Sequence, residues 1–578
     1  MDTKGKAELP GGAPPPHVRR TRWLAIAGSV SFLALLQFTL SLRSSCHLPA
    51  LSLGSSAPVC PQASPLEPEK NGALWNDLTA LHATNDFLTR AVGQLSAAVQ
   101  IPTETFDEMA PVGEDERWLS RGPFIDHLAT AFPLVHASLE LQKVNTYGLI
   151  YTWQGSDASL KPLLLMGHYD VVPVAPLSVD QWTHPAYSGY FDGEYVWGRG
   201  SSDDKSGVIG ILTTIEVLLE KKFAPTRTVV LSFGFDEEGG GIHGARYLGA
   251  ELLERFGPDS FAMIVDEGAG YMKEYGGIFA MPGVAEKGHA NVNIEVQTPG
   301  GHSSVPPEHT SIGMLAALIV HLENNAPVPV LEVGTTAFEM AQCWAAHAPD
   351  MPGLLKRTIL RAGKSHTALK AAEAMLLKDP MFKAVVGTTQ AVDIISGGVK
   401  SNALPEQALA LVNHRIATQS SVNATITRDA ELIRDLAARF NLSVTAYGEL
   451  LTPAAAASYG SLTLTSPQNL EPAPVTPSDA PAYHLLAGTI RSTFYTARKD
   501  VEGGKTHISV APGMMTGNTD TRYTWELSRH IYRYGHGNLI EGLGGIHTVD
   551  EHIRADSFVE MITFFTTLIL NADEATTL

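Results

Sequence analysis

The sequence predicts an α/β fold, a sheet of buried strands flanked by helices, interrupted by a smaller inserted α+β domain. Short apolar runs at residues 163–167, 228–235 and 261–265 have the length of buried strands, and stretches of helical spacing separate them. Alternation of this kind builds a parallel sheet, whose ligands bind outside the carboxyl ends of the strands. Each run ends in candidate ligands: His168 and Asp170, then Asp236, Glu237 and Glu238, then Asp266 and Glu267. After Lys287 the order becomes strand, helix, strand, strand, helix, strand, a ferredoxin-like arrangement that points to a separate small domain.

The chain has 578 residues, of which 44% are hydrophobic and 17% charged, enough for two or three packed domains and too apolar for broad disorder. A net charge of -19 argues against a general nucleic-acid binder, because phosphate binding needs a surplus of lysine and arginine.

The first 22 residues are rich in Gly and Pro and carry Lys4, Lys6, Arg19, Arg20 and Arg22. Residues 23–42 then run without a charge for about the length a helix needs to cross a bilayer. A cleaved signal peptide would carry a shorter apolar core, so an uncleaved signal anchor is expected. Only Arg43 flanks its far side, which places the N-terminus in the cytosol and everything beyond in a lumen or outside. Sequons at Asn423 and Asn441 are compatible with that side. Residues 43–72, with five prolines from Pro49 to Pro68, read as a stalk. Of the three cysteines, Cys46 and Cys60 fall in this stalk and Cys343 far from it, so at most one disulfide forms, expected within the stalk.

Beyond the stalk, residues 75–99 have helical spacing limited by Pro102, and 121–131 read as a second helix. Residues 139–152 alternate like a strand pair turning near Asn145, ahead of the buried strand 163–167. On that strand's extension His168 and Asp170 share a face, because side chains repeat with period two. Alone, the pair is equally a buried histidine satisfied by its neighbour and an oriented metal ligand. Residues 197–207 are a Gly-rich loop leading into an apolar helix at 208–219. The spacing of a phosphate loop is absent, and the plain structural role would be a helix cap at Asp203 or Asp204.

In the inserted domain, 289–297 alternate as a strand, 299–304 turn, and 312–322 form a helix. Strands at 391–396 and 408–416, a helix at 424–440 and a strand at 442–447 complete it, while 326–388 are helical, irregular material without an assignment. Residues 466–481 form a Pro-rich loop back to the main domain, followed by a helix at 484–495, a strand at 506–510, a Gly-rich loop bearing His547, and a closing helix at 556–570. The boundaries are a cytosolic tail at 1–22, an anchor at 23–42, a stalk at 43–72, the main domain at 73–287 and 451–578, and the inserted domain at 288–450.

Together His168, Asp203, Glu238, Asp266 and His547 are a nitrogen and oxygen ligand set without thiolate, suited to zinc, with Glu237 left free to act on a water. The motifs Gly167-His168-Tyr169-Asp170, Gly198-Arg199-Gly200-Ser201-Ser202-Asp203-Asp204-Lys205, Asp236-Glu237-Glu238, Val265-Asp266-Glu267-Gly268, Gly300-Gly301-His302-Ser303-Ser304 and Gly545-Ile546-His547, in this order, resemble the dizinc peptidase and aminoacylase family. Length, anchor and Gly517-Asn518-Thr519-Asp520-Thr521-Arg522 are most similar to its carboxypeptidase S branch.

That resemblance implies a zinc-peptidase-like mixed sheet with the insertion as a lid. It also implies two zinc ions per subunit, one on His168 and Asp266, the other on Glu238 and His547, bridged by Asp203. Asp170 would support His168, and Glu237 would be the general base. A cis peptide would join Asp203 to Asp204. His302 would reach the reacting carbonyl oxygen, and Asn402 and Arg415 the substrate carboxylate. Short peptides or N-acyl amino acids are the implied substrates, so a metallo-carboxypeptidase is expected and an N-acyl amino acid amidohydrolase is the alternative. A membrane-anchored binding protein with a dead site is the reading from another class. The resemblance also leaves room for a homodimer and points to a vacuolar location, where Lys4 or Lys6 would serve as a sorting handle.

Overall fold

A computed structural model describes residues 58–578 apart from 453–457, 500–505, 541 and 543. The expected tail, anchor helix, the first half of the stalk, Lys4, Lys6 and Cys46 lie outside the described residues, as do Glu541 and Leu543 of the loop before His547. Among the described residues no helix is long and apolar enough to cross a membrane.

Eight strands form the main sheet, in the order Glu140–Val144, Gly148–Trp153, Val229–Gly234, Leu163–His168, Met263–Asp266, Ile531–Arg533, Gly283–Glu286 and Gly513–Met515. Leu163–His168 pairs parallel with both neighbours, and Ile531–Arg533 extends the parallel set. An antiparallel hairpin, Glu140–Val144 with Gly148–Trp153, closes one edge, so the sheet is mixed. The central strands are buried at every position, as strands covered on both faces must be. Leu163 and Leu165 join one core with Ile211, Leu212, Phe558 and Ile562 of the helices Lys205–Glu220 and Ala555–Glu574. Leu164 and Met166 point the other way, to Leu248 and Leu252 of Ala245–Phe256.

The helical stretch expected at 75–99 is two helices, Gly72–His82 and Asn85–Val99. Thr84 is extended between them and its hydroxyl accepts the Phe87 N–H at 3.2 Å, an N-cap that starts the second helix while the apolar spacing continues across the break.

A second sheet carries the inserted domain, in the order Thr389–Gly397, Gln407–Ile416, Gly288–Gln297, Gly460–Thr465, Leu442–Ala446 and Glu449–Leu450. Helices Ser311–Asn324 and Val422–Arg439 cover one face through Leu315, Leu318 and Ile433. Gly460–Thr465 pairs with Gly288–Gln297 and Leu442–Ala446, so this sheet draws strands from beyond residue 450, where the sequence boundary was set. Leu462 and Leu464, alternating with polar residues, fill its core.

Residues left unassigned in the sequence form four helices, Thr336–His347, Gly353–Ala362, His366–Leu376 and Pro380–Val386. Their core takes in Phe279 and Ala511 of the main domain, which seats this bundle on the main domain. Cys60 and Cys343 form a disulfide, in place of the pairing expected within the stalk. The reason lies in residues 60–66, which do not tether freely. Gln62 exchanges hydrogen bonds with Val510 at 3.0 and 2.7 Å, and the Leu66 N–H donates to the Gly488 carbonyl at 2.9 Å.

Candidate active site

His168 closes the central strand, and its Nδ1 lies 3.3 Å from Asp170 Oδ1. The ring's other nitrogen, Nε2, faces Asp203 Oδ1 at 3.1 Å and Glu267 Oε2 at 3.6 Å. Asp170 is fully buried, and its two oxygens accept the backbone N–H groups of Glu237 at 3.0 Å and Glu238 at 3.2 Å. One carboxylate therefore fixes both the ring and the turn that presents the two glutamates.

Asp203 offers one oxygen to each histidine: Oδ1 to His168, and Oδ2 to His547 Nε2 at 3.1 Å. His547 Nε2 is also 3.1 Å from Glu238 Oε1. The Asp203–Asp204 peptide is cis. Asp204 occupies the N-cap position of Lys205–Glu220 but makes no side-chain cap bond; its Oδ2 accepts instead from the His168 N–H at 3.4 Å.

Three acidic residues were not foreseen in their roles. Glu267 reaches His168, whereas Asp266, the expected ligand, sits beside it with a buried Oδ2 that has no hydrogen-bond partner. Glu551 Oε1 accepts the N–H groups of Gly200, Ser202 and Asp203 at 3.0, 3.0 and 3.2 Å, and its Oε2 pairs with Arg199 at 2.5 Å. It shapes the loop that presents Asp203. Asp520 is buried with both oxygens unpartnered, in space that only glycines leave. A Cβ at Gly234 or Gly241 would stand 2.3 or 2.5 Å from its carboxylate.

Ligand atoms of His168, Glu237 and Glu267 lie within 4.8 Å of one another, as do those of His168, Asp203 and Glu238. So many carboxylates this close repel unless a cation sits among them, and the orphaned Asp266 oxygen wants a partner. The donor set thus fits divalent cations held by mixed nitrogen and oxygen ligands. Burial, and then the charge of Glu267, push the Glu237 carboxyl well above the ordinary range. Burial likewise raises Asp266 to about 6.

On the inserted domain, His302 is exposed on a two-residue strand paired with Ala403–Leu404. Its Nδ1 accepts the Ser304 N–H at 3.2 Å, which leaves Nε2 to carry the proton. Asn402 is exposed, and its carbonyl accepts the Ser303 N–H at 3.3 Å, which sets Asn402 at the end of the short strand that pairs with His302. Arg415 Nη1 donates to Asn518 Oδ1 at 3.1 Å, and Asn518 in turn donates to the Lys287 carbonyl at 2.6 Å. The structure does not bring these three residues into hydrogen-bonding contact with the candidate ligand cluster.

Residues 164–571 match the sequence profile of peptidase family M20/M25/M40. Carboxypeptidase S of Saccharomyces cerevisiae is 38% identical over 525 residues, 90% of this chain and 89% of that protein. The human N-fatty-acyl-amino acid synthase/hydrolase is 32% identical over 495 residues, 83% and 87% of the two chains. Among solved structures, an M20 family metallo-carboxypeptidase from Sulfolobus solfataricus has a TM-score of 0.58 at 16% identity, covering 84% of this chain and 99% of that one. Human carnosine dipeptidase 1 has a TM-score of 0.59 at 14% identity, covering 88% and 100%, and both likenesses speak for the fold. With a profile match across most of its length and relatives aligned nearly end to end, this chain belongs to peptidase family M20/M25/M40.

Proposed function

We propose that the protein is a dinuclear zinc carboxypeptidase that removes the C-terminal residue of short peptides. The observation that carries this is Asp203, whose two oxygens each face a different histidine at 3.1 Å, the arrangement of a bridging carboxylate. His168 and Asp266 would hold one ion and Glu238 and His547 the other, with Glu267 close enough to His168 to share the first. When bound, two such ions supply Lewis acidity and lower the pKa of a water toward neutrality.

The chain's own groups do the rest. Glu237, fixed through its backbone by Asp170, takes the water's proton and returns it to the leaving amine. His302 Nε2–H serves the carbonyl oxygen as negative charge gathers there. Arg415 receives the free carboxylate through two parallel hydrogen bonds and Asn402 assists, which selects the last peptide bond.

The test is Glu237→Gln, which keeps the shape and removes the base. Turnover of a blocked dipeptide is expected to fall about 10³-fold or more while bound zinc stays at the wild-type level. Near-normal hydrolysis by this variant contradicts the assignment.

Hydrolysis of N-acyl amino acids is a second reading, favoured by the human relative's name and served by the same groups. For location we favour a type II membrane protein with a lumenal, vacuolar catalytic part. The Cys60–Cys343 disulfide belongs in an oxidising compartment, and both sequon residues, Asn423 and Asn441, are exposed. Pairing of two copies through the inserted domain is supported by its edge strand Thr389–Gly397, where Ile394 and Ile395 are exposed.

A further inference from the structure

A cavity of about 670 Å³ meets the ligand cluster at Asp203, Asp204 and Glu267. Its size is that of a site for a whole small molecule. Seven of the chain's 14 methionines line it, among them Met272, Met515 and Met561 of the main domain. The opposite wall comes from the helical bundle, through Met340, Trp344, Met381, Phe382 and Val385. His302, Asn402 and Arg415 are not among the lining residues, so the cavity takes the portion of a substrate that lies away from its carboxylate.

We propose that residues 326–388 are the specificity wall of this enzyme: they complete a methionine-lined cavity that receives an extended, flexible apolar acyl portion of the substrate. The inference rests on the hydrolytic reading above and adds which side chains choose the substrate. Methionine is unbranched and polarisable, so a wall of it adapts to a flexible occupant instead of imposing one shape. The cavity also holds polar groups, Glu274 and Asp379 among them, yet the helices contribute mainly apolar side chains. Trp344 lines the cavity while only 7% exposed, so its ring is packed into the wall. The disulfide at Cys343, on the same helix as Met340 and Trp344, ties this wall to the segment at Cys60.

Two sources share this chemistry, a fatty-acyl chain and a run of apolar peptide side chains, and substrate series separate them. The full-length protein is assayed on N-acetyl, N-octanoyl and N-dodecanoyl phenylalanine, and on acetylated peptides with Gly or Leu on the acyl side of the same bond. The expected result is a rise in kcat/KM of about tenfold or more with chain length, with Leu over Gly, or with both. The first outcome identifies a lipid-like acyl group and the second a peptide. Met381→Asp and Val385→Asp, at positions exposed or half-buried, are expected to flatten the rise, with a larger loss on the dodecanoyl and Leu substrates than on the N-acetyl one. A flat wild-type series with intact N-acetyl hydrolysis overturns this inference alone. So does an equal loss on every substrate in the folded variants. Absence of hydrolysis throughout overturns the hydrolytic reading itself.

Discussion

Asp170 shows how much one carboxylate settles. It orients His168 by its side chain and receives the backbone N–H groups of Glu237 and Glu238, so the proposed first ligand, base and second ligand share one support. Asp170→Asn keeps the volume but turns one acceptor into a donor that faces an N–H. Zinc affinity is expected to fall about 10–100-fold, the usual cost of losing the residue that orients a ligand. A metal titration of wild type and variant checks this, and equal affinities contradict it. His168, Asp203, Glu238 and His547 were legible because each ends a strand or sits in a Gly-rich loop of the family pattern. Glu551 was not, since its bonds to the Asp203 loop span 348 to 351 positions of sequence and only folding brings the two together. Glu267 was hidden by its neighbour, because two adjacent acids at a strand end give no sign of which one turns inward.

Among the elements, the pairing of Gly72–His82 with the closing helix Ala555–Glu574 carries a pH signature. His82 is buried, its Nδ1 is 3.0 Å from the Thr563 hydroxyl, and Nε2 has no partner. Burial lowers its pKa from 6.5 to about 3. The unfolded chain therefore takes up a proton below 6.5 that the folded chain refuses. His82 favours folding fully above that pH, and the advantage is lost as pH falls toward 3. Against His82→Gln, which does not titrate, wild type is expected to lose about 2 kcal/mol of stability between pH 7.5 and pH 5. Denaturant unfolding at the two pH values reads the difference, and a constant gap contradicts the assignment. Strands and helices with one clear period were legible, the central strands above all. The break at Thr84 was not, because apolar spacing runs through it, and the bundle at 336–386 escaped assignment because its helices are short and pack on one another.

At the scale of the molecule, the Cys60–Cys343 bond closes a loop of 283 residues that includes most of the main sheet and the start of the helical bundle. Cys343→Ser is expected to lower stability by about 2–5 kcal/mol, read as a lower denaturation midpoint, and an unchanged midpoint contradicts it. This pairing was beyond the sequence, since three cysteines allow three pairings and Cys46 stood nearer. The two-sheet plan was legible because the strand order changes at Lys287. The extent of the second sheet was not, because Gly460–Thr465 follows an interval without a regular pattern.

The central claim, a metal-dependent carboxypeptidase, is tested most directly by one comparison. The full-length protein is given an N-blocked dipeptide with a free C-terminal carboxylate and the same dipeptide as its C-terminal amide, before and after chelation and zinc return. The acid is expected to be cleaved at least about a hundredfold faster than the amide, because the guanidinium proposed to hold the carboxylate, that of Arg415, loses its ionic partner, and cleavage is expected to stop with chelator and return with zinc. Equal cleavage of acid and amide, or activity that survives metal removal, would contradict the account.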